Sequence, residues 1–589
     1  MSQLRRGRAV ARGSEAHAPG WRPADALALV AALSVTLGAF AGVASNDLLN
    51  WDDQAALVQN PALDGGGVLG WALSTTHMSH YQPLSWLAWA QVRRWFGTSP
   101  AVHHLMSLAV HLANAALVFA LAFRLASLSG LAPTPRRVAA LSAALLFAVH
   151  PLRVEAVAWA SGLPYVLALA PLLVSVLLYL RHSAASSART PLVASVLCYG
   201  VSLLCRAFAP ALPLVLLVLD FALGRLPRVG WAKAFMEKLP FAGLAVVATL
   251  AEAGARRFAS LERVGVSERA SEAALTPFVY LYRTLWPVGL TPLHPLSLAP
   301  TAFLPAFVIG LTLLAGVSAA AYRWRRKRPW ILAGWLAYLL LLGPALGLLP
   351  SGLQATADRY TYLPGVTIAL LGGAAGALLW EGRRRAVWLT LGFALSIALL
   401  GLTWRQVRFW RDSVTLWTHA LALDARNDVA LYNLALALHE KGDAAGAEAQ
   451  YRRLLELVPD HALGRRNLQL LEAARLEREG NERAAAGRLA EAVELYGRAL
   501  QRDAARLHSR RSRGMALVRL GRFDEALLDL QAAVAAGNAE PEVESALAFV
   551  LEQRGALDEA IRVLREASAR HPEARPLAQD LSRLEQLAR

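Results

Sequence analysis

Asn50-Trp51-Asp52-Asp53 sets two carboxylates side by side between an indole and a short apolar run. An ionised carboxylate within reach of a hydroxyl can act as a general base. Adjacent side chains do not share a face on a helix or a strand. One of the pair therefore takes the proton and the other orients it, and the plainer alternative is an N-cap or turn pair before Gln54-Ala55-Ala56-Leu57. A second group, Asp358-Arg359-Tyr360-Thr361-Tyr362, joins a guanidinium to aromatic rings. The arginine fork matches a phosphate, and a place at the start of a helix adds amides that favour anions. The alternative there is an arginine in an interfacial aromatic belt. In His150-Pro151-Leu152-Arg153-Val154-Glu155, a helical Glu155 would share a face with Trp159 and line the same cavity. His80 and Tyr81, with His77, precede Pro83-Leu84, where histidine can shuttle protons. The spacing of His77, His80, His103 and His104 is not that of a closed zinc site, so no metal is expected.

Two letter matches are set aside. Gly65-Gly66-Gly67-Val68-Leu69-Gly70 has the dinucleotide glycine pattern, but no strand precedes it. His439-Glu440-Lys441-Gly442-Asp443 lacks the last ligand of the zinc-protease pattern.

The elements that carry these groups follow from composition. Of 589 residues, 56% are hydrophobic and 17% charged, and the mean hydropathy is +0.37. That is too apolar and too sparsely charged for a soluble chain. Before Trp404 the apolar residues form runs of about 15–25, the length that crosses a hydrocarbon core. About eleven spans are expected near 24–44, 101–127, 138–149, 164–180, 191–205, 210–224, 239–254, 302–321, 330–346, 362–380 and 386–403. The organisation expected is a basic cytoplasmic leader over 1–23, a polytopic domain over 24–403 and a soluble domain over 404–589.

The net charge of +17 comes from arginines and lysines between these runs, as at 322–328 and 383–385. If those loops are cytoplasmic they obey the positive-inside rule, and no aromatic-interleaved basic face points to nucleic acid. An odd span count then puts everything beyond 404 outside, in the periplasm of a bacterial inner membrane. The outside loops, about 45–100, 150–163, 206–209, 255–301 and 347–361, hold the groups described above. Cys198 and Cys205 form neither a zinc pattern nor a disulfide framework.

Beyond 428 the chain repeats. Gly487, Gly521 and Gly555 recur every 34 residues, as do Ala492, Ala526 and Ala560, and Ala499, Ala533 and Ala567. An earlier unit, from Leu431 through Gly442, Ala447, Tyr451 and Pro459, has the same internal spacing but is offset by 45, eleven more than the period. This closely resembles the tetratricopeptide repeat, with four units and capping helices near 412–424 and 574–588. Such arrays expose a concave face that takes an extended protein or peptide.

The membrane part also resembles a family. Asn50-Trp51-Asp52-Asp53 to Asn60-Pro61, Tyr81-Gln82-Pro83-Leu84-Ser85-Trp86-Leu87, Phe147-Ala148-Val149-His150 to Trp159, and Ala357-Asp358-Arg359-Tyr360-Thr361-Tyr362-Leu363-Pro364 carry the likeness. It is to bacterial tetratricopeptide membrane proteins similar to the eukaryotic transmembrane-and-tetratricopeptide O-mannosyltransferases, with a GT-C fold. The resemblance implies an all-α protein that moves a mannose-like sugar from a polyprenyl-phosphate donor to a protein acceptor. It needs no cofactor, since the lipid-linked sugar phosphate is a substrate. Asp52 or Asp53 would supply the base, Arg359 and Tyr360 would meet the donor phosphate, and His150, Glu155, Tyr81, His80 and Arg206 would line the cavity. The chain departs from the family at Gly162-Leu163-Pro164-Tyr165, where a charged stretch is usual, and at Arg206-Ala207, where a Lys-Pro or Lys-Glu pair is usual. The alternative function is a non-catalytic membrane anchor that presents a repeat scaffold for envelope assembly.

Overall fold

The computed structural model describes residues 21–184, 189–255, 265–294, 300–347, 356–536 and 540–589. Most of the basic leader and Gly352-Leu353-Gln354 lie outside them. Among the described residues the regular structure is helical, apart from one antiparallel bridge between His294 and Thr356. By its contacts the chain divides into two compact units, Met1–Ala425 and Arg426–Arg589.

In the first unit a helix lies at each place where a span is expected. Among the described residues seven are long and apolar enough to cross a membrane: Pro23–Ser45, Pro100–Leu128, Ala160–Ala184, Trp231–Ala255, Phe303–Trp324, Pro364–Glu381 and Arg385–Phe409. Pro133–Ala148 and Pro151–Ala158 pass together as a pair bent by 57°, and Thr190–Cys205, Leu212–Ala222 and Pro329–Ala345 are apolar but shorter. The bend falls at Pro151, whose ring cannot continue the preceding helix. Proline also opens helices at Pro23, Pro83, Pro100, Pro133, Pro329 and Pro364. There its missing N–H costs nothing, because a first-turn N–H has no intrahelical acceptor.

Three expectations change. Residues 255–301 are expected as a loop, yet a 20-residue helix, Val266–Leu285, lies within them. It buries Thr276 and Tyr280 on one side, and Ser271 Oγ donates to the Phe303 carbonyl at 2.8 Å. Its polar residues dilute the apolar stripe below what a span requires. The first outside loop likewise contains the Pro83–Phe96 helix. Finally, the boundary moves from 403/404 to 425/426. Arg385–Phe409 runs unbroken through the expected boundary, and Ser413–Leu423 belongs to the first unit. Asn50 fastens it there: its N–H donates to Ser413 Oγ, and Trp417 Nε1 donates to its Oδ1, both at 2.9 Å.

The second unit is four helix pairs and a last helix: Asp428–Glu440 with Ala444–Leu457, Ala462–Ala485 with Leu489–Arg502, Leu507–Arg519 with Phe523–Ala535, Pro541–Gln553 with Leu557–Arg570, then Arg575–Leu587. Gly442, Gly487, Gly521 and Gly555 sit between the partners of each pair with φ of +73° to +86°, which L side chains rarely adopt. Ala447, Ala492, Ala526 and Ala560 have no exposed surface. A further small position, Ala435, Gly480, Gly514 and Ala548, lets the first helix of each pair approach the second. A Cβ on Gly480 would lie 2.7 Å from the Tyr496 ring, and one on Gly514 2.9 Å from Leu530.

The eleven extra residues lie inside a helix. Ala462–Ala485 has 24 residues where the other first helices have 13. At 3.6 residues per turn, eleven residues make three turns plus about 20°, so the helix faces nearly the same way above and below the insertion. Its first half packs back on the first pair, where Asn467 donates to Tyr451 Oη at 3.0 Å. Its second half packs Gly480 on Tyr496.

Candidate functional site

The acidic pair opens a short π-helical turn, Gln54–Val58, and its two members face different surroundings. Asp53 is fully buried and does not cap that turn. Its Oδ2 accepts from the Leu49 N–H at 2.9 Å, and its Oδ1 accepts from the N–H and Oγ of Ser161 at 2.9 and 2.5 Å. Burial pushes its carboxyl up to about 6, against those hydrogen bonds and with a further push from Asp52. Asp52 is half-buried, and among the described residues its carboxylate accepts no hydrogen bond. Burial raises its pKa too, while the charges on Arg359 and then Arg206 pull it down. Of the pair, Asp53 holds the loop to Ser161 and Asp52 is available.

Around them the aromatic residues form a stack. Trp51 lies on Trp159 with ring centres 4.8 Å apart and meets Trp417 edge-on at 5.5 Å. Arg359 sits over Trp159, Trp51 and Tyr360, at 5.2, 5.7 and 5.0 Å from the ring centres. Its guanidinium pairs with Glu155, and its backbone N–H donates to the other Glu155 oxygen at 2.8 Å. From sequence, Arg359 is expected to meet a phosphate and Glu155 to line a cavity. The structure joins them as one buried ion pair, which neutralises the arginine.

Arg206 follows the Thr190–Cys205 helix and donates to neutral acceptors among the described residues: Gln82 Oε1 at 2.8 Å, Tyr165 Oη at 2.9 Å and His80 Nε2 at 3.1 Å. It also lies 4.2 Å from the centre of the Tyr165 ring. An arginine can only donate, so His80 Nε2 is the acceptor and the ring proton sits on Nδ1. That nitrogen faces Glu252 Oε1 at 2.7 Å. Tyr165 in turn lies 6.2 Å from Tyr360, so the two arginines rest on neighbouring rings. Tyr165 and Arg206 are thus in direct contact. Gly162 of the same stretch admits no side chain, since a Cβ would fall 2.7 Å from the Ala156 carbonyl oxygen.

Two expected residues stand apart from this group. His150 Nε2 meets the Thr284 carbonyl at 2.9 Å, and its Nδ1 accepts from the Leu152 N–H, so both nitrogens are engaged. The Tyr81 hydroxyl donates to the Leu73 carbonyl at 3.2 Å, and only its backbone N–H reaches Glu252. Among the described residues no group of three or more His, Cys, Asp or Glu could hold a metal ion.

Ser161 and Glu252 were not singled out from sequence. Glu252 alone carried a signal, an acid inside an apolar helix, where ionisable groups are costly and need a partner.

A tetratricopeptide-repeat family model matches residues 400–462 and 477–541, so the chain carries tetratricopeptide repeats. No curated protein matches. Among solved structures the chain is similar to TTC0263, a tetratricopeptide protein of Thermus thermophilus, at 23% identity over 33% of this chain and 96% of that one, with a TM-score of 0.16. It is similar to the TPR2AB domain of yeast Sti1 in complex with pHSP90 at 16% identity, over 46% and 97%, with a TM-score of 0.18. It is also similar to the P58(IPK) repeat domain at 13%, over 70% and 97%, with a TM-score of 0.21. At these scores none of the three carries an argument about this chain.

Proposed function

We propose that this chain is a membrane-anchored scaffold whose tetratricopeptide array holds a partner protein. The matched repeats carry this reading, because such arrays bury one continuous core and leave a face for an extended segment. The membrane half of the reading is supported by the apolar helices and by side chains such as Leu250 and Phe393, which are more than half exposed and would be costly in water. The scaffold would sit in a bacterial inner membrane with its repeats in the periplasm. The test is co-purification of crosslinked proteins with the full chain and with a version ending at Ala425. Partners specific to the full chain are expected, and identical partners on both would sink the proposal.

A second reading, transfer of a mannose-like sugar from a polyprenyl phosphate to the protein held by the array, is favoured by one observation. Asp52 is a half-buried carboxylate that among the described residues accepts no hydrogen bond, in the field of two arginines. A base must be free to take a proton, and Asp52 is the member of the pair that is. Its reaction would take the acceptor hydroxyl's proton onto Asp52 as the hydroxyl oxygen bonds to the sugar and the lipid phosphate departs. The GT-C fold belongs to this reading alone. Asp52→Asn should lower transfer about 10²–10⁴-fold, and an unchanged rate from a lipid-linked donor would end it.

A further inference from the structure

The Ser413–Leu423 helix keeps the register of the repeats although it lies in the first unit. Ser413, Trp417 and Ala420 stand 34 residues before Ala447, Tyr451 and Leu454, and the same positions are Ala492, Tyr496 and Ala499 in the next pair. It is therefore built as the second helix of a repeat. In the array the aromatic ring at this place is buried and meets an asparagine of a neighbouring helix. Asn467 donates to Tyr451 Oη at 3.0 Å, and Tyr496 Oη donates to Asn481 Oδ1 at 2.7 Å. Trp417 is buried too, and its asparagine is Asn50, whose Oδ1 accepts from the indole Nε1 at 2.9 Å. The loop of the acidic pair docks on this helix where a repeat would place its neighbouring helix.

The contact is more than one bond. The Asn50 N–H donates to Ser413 Oγ at 2.9 Å, and the Trp51 ring meets Trp417 edge-on at 5.5 Å. The helix is itself held: His419 Nε2 donates to the Leu290 carbonyl at 3.0 Å, and its ring lies on Phe409 with centres 3.7 Å apart. Trp51 also lies on Trp159, beside Arg359. Asp52 comes next in the chain. Among the described residues its carboxylate accepts no hydrogen bond, so its place is set by what holds its neighbours. Asp53 is held by Leu49 and Ser161 on one side, and Asn50 and Trp51 by Trp417 on the other.

We infer that Trp417 is a positioning residue for Asp52: a helix of repeat type, taken into the first unit, fixes the loop that carries the free carboxylate. The anchor rests on these contacts alone, and its kinetic consequence rests on the transfer reading. A base must sit within hydrogen-bond reach of its proton, and a misplacement of about 1 Å can cost about 10²-fold in rate. Residues beyond 404, assigned from sequence to the partner-binding domain, thereby become part of the site.

The test uses the full chain in detergent, with hydrogen–deuterium exchange read by mass spectrometry over residues 46–58 and, as a reference, over 107–123. Trp417→Ala should raise exchange over 46–58 about tenfold and leave 107–123 unchanged. Trp417→Phe keeps a ring against Trp51 and loses the N–H to Asn50, so it should raise exchange by less. Asn50→Ala removes the same bond from the loop side and reads the contact even if Trp417→Ala folds poorly. Wild-type exchange over 46–58 in both Trp417→Phe and Asn50→Ala overturns the anchor, and so does an even rise over both segments in Trp417→Ala. With a lipid-linked donor, Trp417→Ala should lower kcat about 10²-fold and leave the acceptor KM within about twofold, with part of the rate restored in Trp417→Phe. A local rise in exchange at an unchanged kcat overturns the positioning role. A local rise in a protein whose wild type transfers nothing confirms the anchor and ends only the transfer reading.

Discussion

Asp52 and Asp53 are neighbours with opposite duties, and substitution should separate them. Asp53→Asn keeps the shape but offers one acceptor oxygen where Leu49 and Ser161 supply three donors. A buried N–H left without an acceptor, or facing an amide N–H, costs about 1–3 kcal/mol. The Asp53→Asn protein should therefore melt several degrees lower in detergent, while Asp52→Asn melts near the wild type; equal melting of the two would show that Asp53 does not hold the loop. The same residue predicts a pH dependence. Its carboxyl titrates at about 6 in the folded protein and at 3.8 ordinarily. Between those values the folded state holds more protons than the unfolded state, so stability falls as pH rises through the window. Melting profiles from pH ~4 to ~7 should show this slope in the wild type and lose it in Asp53→Asn.

At the scale of elements, the eleven-residue insertion is an instance of helical phase deciding what a chain tolerates. Deleting Ala462–Glu472 removes three turns and rotates the remaining helix by only about 20°. Gly480 would then still face Tyr496, and the regular 13-residue length would be restored. Deleting nine residues, Ala462–Leu470, rotates the rest of the helix by about half a turn relative to the first pair, so the face that should meet that pair, and the Leu489–Arg502 helix packed on Gly480, turn away from it. Circular dichroism should show a cooperative array after the eleven-residue deletion and a partly unfolded one after the nine-residue deletion. Equal melting of the two would mean that phase is not what the insertion preserves. The period and its glycines were legible in sequence because a tight turn at positive φ admits little else. The apolar helices were legible from run length. The Val266–Leu285 helix was not, because it mixes glutamate and arginine into an apolar face that only its packing partner reveals. The pairing of Glu155 with Arg359, and of Tyr165 with Arg206, was equally hidden. Residues 204 and 41 positions apart leave no trace in a local pattern.

For the whole molecule, the two proposed functions differ in what Asp52 does once a partner is held. In a scaffold, Asp52 is a loop residue, and Asp52→Asn leaves partner capture and cell phenotype unchanged. In a transferase, the same change leaves both substrates bound and removes the proton acceptor, so captured partner should stay the same or rise while its sugar disappears. Truncation after Ala425 removes the array at 426–589. It should lose capture under either reading, but it should leave transfer to a short soluble acceptor intact only if the first unit is catalytic. Quantitative mass spectrometry of the captured partner, from cells carrying each of the three forms, reads capture and sugar in one measurement. A glycosylated partner in wild type that becomes bare in Asp52→Asn, at about equal capture, decides for transfer. A bare partner in every form, still captured by the wild type and lost on truncation, decides for the scaffold.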